Sequence, residues 1–227
     1  MNIFNITFKI TLIAFLGAGV LVACTKDDFL LNRVHPDKLF YYTDTGEKIP
    51  VYKVDEKLYI VYFSSEEGKI RDECEKAGIT IVHVEPVRAY TTYIKDGTAR
   101  SGAQITNLKM AIIEGNITKA NAVFPATFYW APLYYTENRN ELVFTELFGV
   151  KMKPKTKLSQ LEKLARRYVV EMVGIDKYDS QMFFLICSNR SKGNSIEVAN
   201  RFYESNLFVF SNAGCIIHSQ VRNNTNL

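Results

Sequence analysis

Polar positions nearly vanish from the first 23 residues, MNIFNITFKITLIAFLGAGVLVA, where Lys9 is the single charged residue and Ile10 to Ala23 is a run of apolar and small residues. A charged start followed by an apolar run of this length has the layout of a secretory signal, and it is shorter than the roughly 20 residues a spanning helix needs. From Cys24 to about Phe40 the pattern turns polar and aperiodic, TKDDFLLNRVHPDK, as suits a spacer. Folding is expected to begin at LFYYTDTGEKIPVYKVDEKLYIVYF. Aromatic and β-branched residues crowd together there, and Asp44-Thr45-Gly46 supplies a turn, so a hairpin leads into a strand over Lys57 to Phe63.

The rest of the chain can be laid on itself without a gap at an offset of about 91 residues. KLYIVYF falls on FGVKMKP, IRDECEKAGITIVHV on LEKLARRYVVEMVGI, TTYIKD on MFFLIC, and ITNLKMAIIEGNI on IEVANRFYESNLF. Few residues are identical; what the halves share is an order of elements, strand, helix, strand, strand, helix, strand. In the second half Leu158, Leu161, Leu164 and Ala165 recur at the spacing of one helical face, predicting a helix over Lys157 to Tyr168 with Thr156 as its N-cap. VVEMVGI is a strand, DKYDSQ a loop, and the continuous apolar run MFFLICS a central strand buried on both faces. Asn194 or Ser195 caps a second helix carrying Ile196, Ala199, Phe202 and Tyr203 on one side, and LFVFSNAGCII closes the unit.

A β-α-β-β-α-β order with right-handed crossovers defines a ferredoxin-like sandwich. The predicted fold is therefore α+β, two tandem ferredoxin-like units with antiparallel sheets and helices on one face. The predicted domains are a signal over 1–23, a tether over 24–40, a first unit with its leading hairpin over 41–132, and a second unit with the C-terminal tail over 133–227. APLYYTENRN is expected to join the two units.

A hydrophobic content of 47% beside 23% charged residues describes a chain able to bury a core, and a net charge of +4 points to no strongly acidic partner. The basic stretch KMKPKTK and the aromatics of MFFLIC would be the marks of RNA binding on such a fold. The octamer that begins Lys/Arg-Gly-Phe/Tyr is absent, and no nucleic-acid partner is expected. His35, His83 and His218 are scattered, no Cys-x-x-Cys spacing exists, and neither a metal site nor a cofactor is expected. Cys74, Cys187 and Cys215 sit in a compartment that permits disulfides, and the sequence leaves their pairing open.

Leu21-Val22-Ala23-Cys24 resembles the lipobox of bacterial lipoproteins, in which the cysteine is acylated and becomes the new N-terminus. Lipid on Cys24 would then hold the protein to a membrane, at roughly 0.8 kcal/mol per buried methylene. Lys26, Asp27 and Asp28 resemble the acidic export tag that sends Bacteroidota lipoproteins to the outer leaflet. The expected location is the outer membrane, exposed at the cell surface, with a periplasm-facing anchor as the alternative.

The second half, from LFGVKMKP through DKY to SKGNSIEVANRFYESNLF, resembles the non-catalytic N-terminal region of Bacteroidota subtilisin-like serine proteases, and YYTDTGEKIPVYKVDEKLYIVYF resembles the start of that region. The resemblance implies a propeptide-like module of ferredoxin-like fold. Such a module packs its sheet on the protease and lays its tail along the substrate groove, assisting folding and inhibiting the enzyme. It implies that Ile216, Ile217, His218, Ser219 and Gln220 would add as a strand beside that groove, and that Asp176 and Asp179 would meet the positive ends of protease helices. The His-Gly-Thr and Gly-Thr-Ser segments of a subtilase are absent. Asp44-Thr45-Gly46 matches the family's Asp-Ser/Thr-Gly triplet by letters alone, before the first folded strand and with no helix after it, so no catalytic residue is expected. Two functions follow: a non-catalytic cell-envelope lipoprotein with a propeptide-like binding module or, alternatively, a stand-alone inhibitor or folding chaperone of a subtilisin-like protease acting through its tail.

Overall fold

Two long strands, one at the head of each repeat, organise the molecule. The computed structural model describes residues 39–86, 90–91, 104–105, 107–138 and 140–218. A short hairpin comes first, β1 (Phe40–Tyr42) against β2 (Lys48–Pro50). Its turn is the Asp44-Thr45-Gly46 step: Gly46 sits at φ 83°, a conformation open to glycine, and its amide donates to Thr43 O at 2.9 Å. β3 (Tyr52–Phe63) leads into α1 (Glu67–Ala77), which stops at Gly78 in the left-handed conformation, and β4 (Thr80–Pro86) follows. A two-stranded arm, β5 (Tyr90–Thr91) and β6 (Gln104–Ile105), precedes β7 (Leu108–Glu114). Two 3-10 turns, Ile117–Ala122 and Phe124–Ala126, then carry the chain to β8 (Tyr129–Tyr135).

The second repeat runs β9 (Glu141–Met152), α2 (Leu158–Tyr168), β10 (Glu171–Ile175), β11 (Met182–Ile186), α3 (Ser195–Glu204) and β12 (Phe208–His218). The strand orders are β8-β3-β7-β4 and β12-β9-β11-β10, with every neighbouring pair antiparallel. Numbered within each repeat, both read fourth, first, third, second. The fold is α+β, two tandem ferredoxin-like units, and the β8–β9 hairpin (Tyr134↔Leu142, Tyr135↔Glu141) fuses them into one eight-stranded sheet.

Several sequence expectations are corrected. The repeat is not gapless. ITNLKMAIIEGNI, expected to form a helix, contains β7, because its apolar residues serve both faces of a central strand: Ala111, Ile112 and Ile113 are all buried. TTYIKD was matched to a central strand; of it only Thr91 is described, at the end of β5 in the inserted arm. The helix expected at the second crossover of the first unit is replaced by the 3-10 turns, which Pro125 keeps short. APLYY is not a linker but most of β8, and five residues, 136–140, make the joint.

At the start of α2 the Thr156 hydroxyl donates to Leu207 O at 2.8 Å instead of capping, while Gln160 Oε1 accepts the Lys157 amide at 2.9 Å. For α3, Asn194 is the cap: it accepts from the Glu197 amide at 3.1 Å while Glu197 accepts from the Asn194 amide at 2.8 Å.

Strand alternation assigns the two faces. Phe148, Val150, Met152, Phe183, Leu185 and Phe208 cluster with Leu161, Ala165, Val198, Ala199 and Phe202, so α2 and α3 cover this side of the second sheet. Phe202 is fully buried, its ring 5.1 Å from Phe148 and 5.5 Å from Phe208. In the first unit Glu67 of α1 pairs with Lys109 of β7, placing α1 on the Lys109, Ala111, Ile113 side. The opposite side, Tyr59, Val61, Leu108 and Ile112, belongs to the same core cluster as the second unit. Both faces of β3 are thus covered, and Leu58 to Tyr62 are all buried. Tyr129 ties the halves together: its hydroxyl accepts from the Ser195 amide at 3.1 Å, at the first turn of α3.

Candidate functional site

One side of the second sheet carries no helix, and a groove of about 580 Å³ opens there toward the first unit. Its floor is a transverse row set by strand register: Gly174 stands opposite Phe184, Phe184 opposite Gly149, and Gly149 opposite Asn212. The half-buried Phe184 ring lies across the two glycines, which have no side chains to lift it, so it covers bare backbone that would otherwise be exposed. Met182 and Phe210 extend the floor, and Tyr59, Met110 and Glu85 of the first unit form the facing wall. MFFLI, expected to be buried on both faces, is covered on one: Phe183 and Leu185 face the helices, whereas Met182 and Phe184 line this groove.

Glu146 stands at the edge of the groove, only 2% exposed, in the apolar run of β9. Its Oε2 accepts from the Tyr59 hydroxyl at 2.9 Å, a bond that crosses from one unit to the other. A buried carboxylate needs such a donor, since transfer out of water without one is costly. A second hollow of about 630 Å³ lies between the turn of the leading hairpin and β12, lined by Tyr41, Leu142, Phe144, Ala213 and Cys215 among others. The two hollows share Asp44, Asn212 and Cys215.

Cys24, Lys26, Asp27, Asp28, Ser219 and Gln220 lie outside the described residues. Asp176 and Asp179 lie in the β10–β11 loop, but both are engaged at home. Asp176 Oδ1 accepts from the amides of Tyr178 and Asp179 at 2.8 and 2.9 Å, and Asp179 pairs with Lys151 at 2.7 Å. That pair and the Gln181 amide hold the Asp179 carboxyl below its ordinary value. Ile216, Ile217 and His218 are not a free tail: they end β12 and stand opposite Val143, Leu142 and Glu141 of β9.

Cys74 and Cys187 are buried and Cys215 is exposed, and none of the three forms a disulfide among the described residues. His83 pairs with Glu85 at 2.7 Å on β4. Among the described residues no group of three or more His, Cys, Asp or Glu side chains is placed to hold a metal ion, and no helix is long and apolar enough to cross a membrane. The groove itself escaped the sequence reading. Two signals pointed to it: one acid inside the apolar run LVFTELFGV, and glycines in the middle of strands at Gly149 and Gly174.

No family model matches the chain, and no curated protein matches it. Two solved structures are similar to it in outline. The small subunit of acetolactate synthase from Thermotoga maritima aligns over 76% of this chain and 100% of its own, with 9% identity and a TM-score of 0.23. A putative glycine cleavage system transcriptional repressor aligns over 72% of this chain and 98% of its own, with 10% identity and a TM-score of 0.23. At that level neither bears on what this chain does.

Proposed function

We propose that this chain is a non-catalytic binding module of a bacterial cell envelope, anchored to the outer membrane by lipid on Cys24 and facing the cell surface. The observation that carries the binding reading is the groove on the helix-free side of the second sheet. It is concave, walled by Met110, Met182, Phe184 and Phe210, and has a few polar groups at its rim, the composition of a recognition site. Of the acids that line it, Glu146 accepts from the Tyr59 hydroxyl and Glu85 pairs with His83. A subtilisin-like protease is the alternative partner proposed from the sequence. With Ile216 to His218 held against β9, it would have to meet the sheet and not a loose tail.

Two measurements test the proposal. Metabolic labelling with an alkynyl palmitate should mark the full chain and fail to mark Cys24→Ser; equal labelling of the two defeats the anchor. Photocrosslinking from a benzophenone residue at position 184, in intact cells, should give a discrete adduct that the same residue at exposed position 163 on α2 does not. An adduct pattern that is the same at both positions defeats the groove. If a subtilisin-like protease of the same cell is the partner, adding the chain should slow its activity; unchanged activity removes that alternative.

A further inference from the structure

β12 is an edge strand whose inner side pairs with β9 from Phe208 to His218, with breaks in register between Phe208 and Phe210 and between Ala213 and Cys215, and whose outer side has no pairing strand among the described residues. Such an edge is a ready template for another strand. Here it also lies between the two hollows. Phe210, Gly214 and Ile216 line the groove on the helix-free side, Ala213 lines the hollow on the hairpin side, and Asn212 and Cys215 border both. A strand laid along this edge would therefore lie between the two hollows, with one set of alternate side chains on the groove side and the other on the hairpin side.

We infer that the outer edge of β12 takes up an extended segment of a partner protein as an added strand, apolar at alternate positions and bearing lysine or arginine among them. This rests on the binding reading above and names its partner's chemistry. Main-chain hydrogen bonds supply affinity that is independent of sequence, and the two hollows select the side chains. The preference for apolar residues at alternate positions follows from Met182, Phe184 and Phe210 on the groove side. The cationic preference follows from the exposed Asp44 and Glu85, since no lysine or arginine stands among the residues that line either hollow.

Asn212 points to the same place from a separate observation. Its side-chain amide donates to Asp44, while its Oδ1 is a buried acceptor with no donor among the described residues. An incoming N–H would satisfy it. The leading hairpin does not pair with this edge; the side-chain contact of Asp44 with Asn212 marks where its turn reaches β12. Like charge disfavours a second copy as the occupant, because two β12 edges brought together would bring their Asp44 carboxylates with them.

The test uses the full chain in detergent micelles and a fluorescein-labelled peptide amide, Val-Lys-Leu-Arg-Val-Lys-Leu, followed by fluorescence anisotropy. Saturable binding is expected, weakened by about tenfold or more when every peptide amide is N-methylated, because the twin has no donors for the ladder. Cys215→Lys, at an exposed position between the hollows, should weaken binding by a similar factor, and Lys163→Ser, exposed on α2 away from both hollows, should leave it unchanged. Equal binding of the methylated twin overturns strand addition. Binding lost in Gly149→Leu but kept in Cys215→Lys also overturns it, while leaving the groove as a binding site. A concentration-dependent dimer that Cys215→Lys abolishes, with no uptake of peptide, assigns the edge to a second copy and overturns the proposal. No binding and no dimer overturn it as well, without touching the palmitate and crosslinking tests of the module itself.

Discussion

Tyr129→Phe isolates one oxygen that joins the two repeats. The Tyr129 hydroxyl accepts from the Ser195 amide at 3.1 Å and lies 3.2 Å from the Ser195 hydroxyl, both fully inside the protein. Ser195 is the first residue of α3, where amides have no partner within the helix. Asn194 caps the Glu197 amide, so Tyr129 serves a donor the cap does not reach. Removing the oxygen leaves that amide buried and unsatisfied, at about 1–3 kcal/mol, with no cavity larger than one atom. We expect a loss near 2 kcal/mol, which for a domain of this size lowers Tm by about 4–8 °C. Urea unfolding of the full chain should show it as a lower midpoint at unchanged slope. The same hydroxyl is pushed well above its ordinary pKa by burial, with smaller contributions from its neighbours. The folded chain therefore keeps its proton where the unfolded chain releases it, so stability is intact below about pH 10 and falls as the pH rises beyond. Tyr129→Phe should reduce that alkaline slope, to which Tyr41, Tyr62, Cys74 and Cys215, also raised by burial, contribute the rest. A change under about 0.5 kcal/mol at neutral pH, or an undiminished slope, refutes the bridging role.

Three further outcomes are expected. Val169, which closes α2 at φ 56°, is a β-branched residue in the left-handed region, where α1 uses Gly78; Val169→Gly should stabilise by about 1 kcal/mol, read as a raised urea midpoint. The Glu67 carboxyl is held below its ordinary value by hydrogen bonds from Lys109 and then Arg71, so its contribution is present above about pH 4.5 and is lost as the pH falls through the lower folded value. Glu67→Gln should flatten the acid limb of the stability profile. Cys215 is exposed as a residue, yet burial of its thiol pushes the pKa up to about 11; alkylation by iodoacetamide at pH 8 should be slower than for a free thiol and rise steeply toward pH 11.

The sequence disclosed the second unit well because each of its elements carries a local signature. Leu158, Leu161 and Ala165 mark one helical face, Asn194 and Glu197 form a capping box, and turn residues bound MFFLI. The first unit was misread past Pro86 because its signals compete. Met110-Ala111-Ile112-Ile113 fits a buried strand and a buried helix equally by composition, and only pairing with β3 and β4 decides. The gapless overlay then carried the error forward, since the arm between β4 and β7 displaces everything after it. The site was illegible for a different reason. The contact of Tyr59 with Glu146 joins residues 87 positions apart, and the glycine row exists only once three strands are in register.

That row argues for the groove on energetic grounds. A methyl group at Gly149 would meet Met182 and Phe184 at 3.7 Å, ordinary contact, and the residue has no positive φ that would require glycine. Glycine inside a strand costs roughly 0.5–1 kcal/mol relative to alanine, and alanine would fit. Nothing steric in the fold therefore accounts for Gly149, and the same is not true of Gly214, where a Cβ would fall 2.6 Å from Thr145 Oγ1. What a side chain at 149 would change is the depth of the groove floor between Phe184 and Asn212. A low floor at 149 leaves room above it for side chains that reach into the groove from a segment laid along β12.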